Sequence, residues 1–268
     1  MCPPEALWLA CRRKVNDKNS VTNNMDASQL LIVIPARGGS KGLPGKNAKI
    51  LGSHPLLKWT SDAVALSGLE NHQCLLSTDD EEIAAIGEGI GLDVPFIRPA
   101  ALASDTASSV ETVEHALDWI NRHREFYPKY LMLLQPTSPF RPPQVIFDAF
   151  SRITENHTTD AVIGVKAIHR SPRTLFYTDE TNTMTPLEEQ NTTDTRRQDV
   201  RAIYTPNGAM YVIKTDILKS QHTLFPKNSK AIIMDQFQSH DIDDPIDWAI
   251  AAAHVNAGLS WRSTEREA

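Results

Sequence analysis

Residues 34–47 read IPARGGSKGLPGKN, with four glycines, two prolines, one arginine and two lysines directly after an apolar run. Glycines let successive backbone N–H groups turn inward on an anion. Arg37, Lys41 and Lys46 add positive charge, the arginine as a two-pronged grip and the lysines as point charges. Three cations in one loop suit a triphosphate better than a single phosphate. The stretch matches neither common phosphate loop. Counting back from Gly45-Lys46, a Walker A loop requires glycine where Ser40 stands, and Ser or Thr where Asn47 stands. The G-x-G-x-x-G spacing of dinucleotide-binding turns is also absent. The plain alternative is a solvated basic turn.

A second stretch, SHDIDDPIDW, carries Asp241, Asp243, Asp244 and Asp247. In an extended segment, residues two apart point the same way. Asp241 and Asp243 can therefore face one point, where two carboxylates, phosphate oxygens and water would hold Mg²⁺. Without a cation, such a pair repels and one member tends to take up a proton. Asp244, just before Pro245, reads as the cap of the following helix. A cationic loop plus a metal-binding pair points to a nucleoside triphosphate and reaction at phosphorus. That chemistry is mostly positioning and charge neutralisation, so it needs no nucleophilic side chain. His240 beside the acidic pair is a candidate base, with an ordinary structural role as the alternative. Cys74 reads as a strand cysteine rather than a nucleophile.

These residues need elements to position them. QLLIVIPA, HQCLLS, YLMLLQ and AVIGVKAI are short continuous apolar runs of buried-strand type, and DVPFIR reads as a further short strand. Between them PLLKWTSDAVALSG, EEIAAIGEGIG, SSVETVEHALDWINRH and PPQVIFDAFSRITEN have helical character. In the third of these, Val110, Val113, Leu117 and Ile120 share a face, and Ser108 with Glu111 forms a capping box. NGAMYVIK and AIIMD read as strands, and DDPIDWAIAAAHVNAG as a closing helix. Strand–helix alternation predicts an α/β fold: a Rossmann-like three-layer domain with a mainly parallel sheet and ligands at the carboxyl ends of the strands. The opening loop, STDD, LQPTSPFR and DIDD all fall at such ends.

The boundaries follow from composition. Residues 1–28 read as a flexible N-terminal arm, because the short apolar patch precedes the basic cluster, the wrong order for a secretory signal. Residues 29–257 form the main domain. Residues 166–206 are polar, break the alternation and read as a small inserted β-rich subdomain; 258–268 form a tail. A net charge of −6 gives no general attraction to nucleic acid, so an anionic substrate must meet local positive charge. No apolar run approaches the ~20 residues of a membrane helix, so no membrane partner is expected. Three cysteines without CxxC spacing fit a reducing, cytoplasmic compartment.

IPARGGSKGLPGKN, LSTDDEEIA, RPAALASDTASS, LLQPTSPFR, RRQDVRAIYTPNGAMY and DIDDPIDW occur in the order found in the acylneuraminate cytidylyltransferases. The chain resembles that family over roughly residues 30 to 257. The resemblance implies that CTP and a nine-carbon 2-keto sugar acid, such as sialic or legionaminic acid, give CMP-sugar and pyrophosphate with Mg²⁺. It implies that the inserted subdomain makes a homodimer. Carried over motif by motif, Arg37, Ser40, Lys41 and Lys46 would hold the triphosphate, Arg37 and Lys41 acting in catalysis with Asp241 and Asp243. Asn47 and Arg98 would read the cytosine, with the backbone near Ala107 helping. Ser109, at the start of a helix, would contact the nucleotide or else simply cap the helix. A surface ion pair is the alternative for Arg98. Gln135 and Asn207 would bind the sugar acid, although Asn-Gly is also an ordinary turn. Arg173 and Arg197 would reach the partner's site and hold the sugar carboxylate. Some relatives have lysine at the position of Arg173, which keeps charge but changes geometry. CMP-pseudaminic or CMP-Kdo synthetase, a sugar-1-phosphate nucleotidyltransferase and a non-catalytic nucleotide-binding protein remain as alternatives.

Overall fold

The computed structural model describes residues 24–104, 106–170, 172–187 and 202–261. In chain order its strands are β1 Met25–Asp26, β2 Leu30–Pro35, β3 Ile50–Leu51, β4 His54–Pro55, β5 Leu69–Glu70 and β6 Gln73–Ser77. They continue with β7 Tyr130–Leu134, β8 Ala161–Ile168, β9 Phe176–Thr178, β10 Met184–Pro186, β11 Ile203–Lys214 and β12 Ser229–Ile233. The α-helices are α1 Leu56–Ala65, α2 Glu81–Gly89, α3 Ser109–Arg124, α4 Pro143–Glu155, α5 Thr215–Gln221 and α6 Pro245–Asn256.

One six-stranded sheet, ordered β12-β8-β11-β7-β2-β6, carries the fold. All its strands run one way except β11, which is antiparallel to both β7 and β8. Strand β2 shows why its sequence is apolar throughout. Ile32 and Ile34 pack on one face with α1 and α4, through Leu57, Val64, Ile146 and Phe150. Leu31 and Val33 pack on the other with α3 and α5, through Val113, Leu117, Ile120 and Leu218. A strand buried on both faces cannot alternate apolar with polar residues.

A third apolar cluster lies off the sheet and assembles the site. It joins Leu43 of the opening loop, Leu56 and Trp59 of α1, Phe140, Ile242 and Ala251 of α6. Ile242 is fully buried there, so its neighbours Asp241 and Asp243 turn the other way. The segment is further pinned by a hydrogen bond from Ile242 N to the Thr137 carbonyl at 2.9 Å.

Three expectations change. DVPFIR forms only isolated bridges, Leu75 with Asp93 and Thr78 with Ile97, because Pro95 lacks the N–H a continuous ladder needs. Strand β11 begins at Ile203, so the last residues of the stretch read as an insertion lie in the central sheet. Helix α5 has too short an apolar pattern to have been read as a helix. Within residues 172–187 the chain forms one antiparallel hairpin, β9 with β10. Among the described residues no helix is long and apolar enough to cross a membrane.

Candidate active site

A cleft of about 280 Å³ opens where β2, β6 and β7 end. It brings together Arg37, Lys46, Asn47, Arg98, Ala107, Ser109, Gln135, Asp241 and Asp243, drawn from the opening loop, RPAALASDTASS, LQPTSPFR and DIDD, while STDD contributes no lining residue. Ser40 and Lys41 lie on the same loop but do not line it, and Lys41 is exposed. Arg197 and the side chain of Arg173 fall outside the described residues.

The glycine-rich loop is tied to both of its neighbours. Gly38 N donates to Asp79 Oδ1 at 3.1 Å, and a Cβ at Gly38 would strike the Asp80 side chain. A Cβ at Gly42 would strike the Asp243 carbonyl oxygen. Lys46 Nζ donates to the Ile242 carbonyl at 2.6 Å and to Asp243 Oδ1 at 3.1 Å. The lysine expected on the triphosphate thus also neutralises one of the two carboxylates.

Two buried polar side chains, Arg98 and Asn47, belong to the cleft lining. Arg98 is only 4% exposed, so the ion pair considered for it does form, with Asp79, but away from the surface. Its guanidinium lies 3.6 Å from Asp79 Oδ1 and donates to Thr112 Oγ1 at 3.5 Å, while Nε has no partner. Burial holds the Arg98 guanidinium below its ordinary range, Asp79 pushes it back up, and Arg37 pushes it down. Asn47 Nδ2 donates to the Arg37 carbonyl at 3.2 Å, and its buried Oδ1 has no partner. An unpaired buried donor and an unpaired buried acceptor are therefore carried by two residues of the lining. Buried polar atoms left unpaired cost free energy that a ligand can return.

Asp241 is the unusual carboxylate. Its Oδ1 is buried and finds no donor. Burial pushes its carboxyl above the ordinary range; Asp243 adds to the rise, while Thr137, Lys46 and Lys166 oppose it. Asp243, by contrast, stands exposed beside Lys46. One buried, unpartnered carboxylate oxygen beside an exposed second carboxylate fits a hard cation, whose other ligands come from phosphate and water. Among the described residues no cluster of three or more acidic, His or Cys side chains forms a metal cage, so any cation there depends on the substrate for ligands.

Helix α3 is capped by Ser108, whose Oγ accepts from Glu111 N at 3.1 Å while Glu111 Oε2 accepts from Ser108 N at 2.9 Å. Ser109 is the first helical residue and not the cap, which leaves its hydroxyl in the cleft lining. Asp244 caps α6 in a capping box with Asp247, as its place before Pro245 suggests. His240 Nε2 contacts the Asp247 carbonyl at 2.9 Å and does not line the cleft. Cys74 lies on β6, its thiol pushed up to about 12 by burial and Asp93, which suits no nucleophile at neutral pH.

Asn207 is 4% exposed and does not line the cleft. Its amide donates to Ser239 Oγ at 2.9 Å, and its Oδ1 accepts from Ala209 N at 3.1 Å. Asn-Gly is not a hairpin turn here but the start of a bulge in β11. Pro206 pairs with Val165 and Tyr211 with Ile163, so β11 carries extra residues over that interval. The bulge turns Gly208 toward the site, at φ +77. Sequence reasoning missed Asp79, Thr112, Thr137, Gly208 and Arg141. Asp79, Thr137 and Arg141 lie in motifs at strand ends, which marks the place but not the contact; Thr112 and Gly208 carry no such signal.

The profile of the cytidylyltransferase family matches residues 31–243. An N-acylneuraminate cytidylyltransferase of Escherichia coli is 35% identical over 84% of this chain, and the chain spans about half that relative's length, 51%. A CMP-N,N'-diacetyllegionaminic acid synthase of Legionella pneumophila is 33% identical over 83% of this chain and 94% of its own. Among solved structures, a CMP:2-keto-3-deoxy-manno-octonic acid synthetase complexed with CTP superposes with a TM-score of 0.63 over 86% of this chain and all of its own, at 15% identity, a likeness of fold. With that match spanning most of the chain and taking in the glycine-rich loop, Arg98 and the Asp241–Asp243 pair, the chain belongs to the cytidylyltransferase family.

Proposed function

We propose that the protein transfers CMP from CTP to a nine-carbon 2-keto sugar acid, releasing pyrophosphate. The observation that supports this best is the joining, in one cleft, of the cationic loop to the Asp241–Asp243 pair through Lys46, beside an unpaired Asn47 Oδ1 and Arg98 Nε. The names of its relatives support the substrate class.

In this reading the triphosphate lies on the loop, held by Arg37 and Lys46, with Ser40 and Lys41 closing on it as they come within reach. Asn47 Oδ1 accepts from the exocyclic amine of cytosine, and Arg98 donates to the ring carbonyl. Uracil presents a carbonyl where cytosine has an amine, so it would face the Asn47 oxygen with like charge. The backbone near Ala107 helps to read the cytosine, and Ser109 borders the ribose. Gln135 contacts the sugar acid, and Arg173 and Arg197 reach it from the partner subunit of a cytoplasmic homodimer. Asn207 supports the sugar site by shaping the bulge. The anomeric hydroxyl attacks the α-phosphorus; the new bond is C2–O–P, the bond to pyrophosphate breaks, and the hydroxyl proton is released to solvent. Asp241 and Asp243 would hold Mg²⁺, which when bound supplies charge neutralisation at the α-phosphate and leaving group. Arg37 and Lys46 offset the charge that builds on the departing pyrophosphate.

The test of substrate class is pyrophosphate release with CTP, Mg²⁺ and a panel of sialic, legionaminic, pseudaminic and Kdo acids. Turnover with a sialic or legionaminic acid supports the reading; turnover confined to a sugar 1-phosphate overturns it.

A further inference from the structure

Arg141 heads the large side chains that the fold encloses completely, at 1% exposed. Its guanidinium meets three neutral oxygens. Nη1 donates to the Ala209 carbonyl at 2.6 Å and to the Gln135 carbonyl at 3.2 Å. Nη2 donates to Thr60 Oγ1 at 2.9 Å. Burial alone pushes its pKa down to about 9, with no carboxylate to offset it. A buried charge of this kind is costly, and an apolar side chain of similar volume often serves packing better. The cost makes sense only if the hydrogen bonds themselves matter.

One of their acceptors belongs to the cleft lining and another to the bulge beside it. Gln135 follows β7 and lines the cleft. Ala209 follows Gly208 in the bulge of β11, where a Cβ on Gly208 would lie 2.9 Å from Gln135 Oε1 and 3.4 Å from Asp241 Oδ2. Thr60, on α1, anchors the guanidinium from behind. A single guanidinium therefore ties the backbone of Gln135 to that of Ala209, next to Gly208. The nucleotide end has separate supports, at Asp79, Lys46 and Asn47.

We propose that Arg141 is a positioning residue for the sugar-acid half of the cleft: it fixes the backbone of Gln135 against the Gly208–Ala209 bulge, while the CTP half is held independently. This rests on the function proposed above. Lysine keeps the charge but cannot span three acceptors in one plane.

The experiment compares wild type, Arg141→Lys, Thr60→Val and Thr60→Ser by CTP affinity in calorimetry and by the KM for sugar acid in pyrophosphate release. Arg141→Lys should raise the sugar-acid KM roughly tenfold or more while leaving CTP affinity unchanged. Thr60→Val should shift the same constant, less far, and Thr60→Ser should restore it. Equal losses of affinity for CTP and sugar acid would overturn the inference, since a purely structural arginine would act on both. Should Arg141→Lys fail to fold, the Thr60 pair decides: equal sugar-acid KM values for Val and Ser contradict the proposal. Wild type that releases no pyrophosphate with any acid overturns the proposed function and this inference with it. Active wild type with unselective variants overturns the inference alone.

Discussion

Asp241 Oδ1 is buried without a donor, and its carboxyl is pushed up by that burial. A carboxylate so placed is a poor stabiliser of the fold and a good ligand for a cation. Asp241→Asn should therefore cut Mg²⁺-dependent turnover by roughly a hundredfold or more, while its melting temperature in chelator equals or exceeds that of wild type. A variant that melts earlier but turns over normally would show that the side chain serves folding. Arg98 makes the companion case. Its Nε is unpaired, and Asp79 holds the guanidinium in place. Arg98→Ala should raise the KM for CTP by about tenfold or more and narrow the preference for CTP over UTP; competition between the two nucleotides measures both. Residue type and spacing singled out Asp241, because a carboxylate pair two residues apart beside a polycationic glycine loop has few chemical uses; Arg98 came only from the family resemblance. Arg141 was not legible. An arginine at a strand end looks like a surface group, and its burial depends on carbonyls contributed by Gln135 and Ala209.

At the scale of elements, the central fact is that a loop from the start of the chain and a segment from its end are built against each other. Leu43 and Ile242 share one apolar cluster, and Gly42 lies against the Asp243 backbone. Gly42 has no positive φ to protect, so its requirement is contact alone. Gly42→Ala should lever the loop off the acidic segment and lower kcat/KM by about a hundredfold with little change in melting temperature, because the loop is exposed. An unchanged rate would mean that this contact does not set the site. The helices and most strands could be read in advance, since period and capping are local properties: the boxes at Ser108–Glu111 and Asp244–Asp247 both form. The direction of β11 could not. Apolar content is the same whether a buried strand runs with or against its neighbours, and only the pairing partners decide. The bulge at Asn207-Gly208 escaped for a similar reason, because a positive φ at glycine serves a hairpin turn and a bulge equally.

For the whole molecule, the open question is assembly. The β9–β10 hairpin stands off the central sheet with Phe176, Tyr177 and Met184 exposed, a larger apolar display than a small hairpin needs. The expectation of a homodimer gains support from that surface. Sedimentation should give twice the mass of one chain, and Tyr177→Lys should shift the protein toward monomer with loss of turnover; a wild-type monomer with full activity would refute the assignment of Arg173 and Arg197 to a shared site. The fold class was legible because strand–helix alternation allows few arrangements. The proposed division of the cleft into a nucleotide half and a sugar half was not, since it depends on which loops meet across the sheet. The central claim is that this cleft does more than bind a nucleotide. It is tested most directly by incubating the protein with CTP, Mg²⁺ and sialic or legionaminic acid, and following pyrophosphate release together with the mass of the nucleotide product. The account predicts equal amounts of pyrophosphate and CMP-sugar, both absent with Asp241→Asn. CTP binding without pyrophosphate release for any acid tested would contradict it.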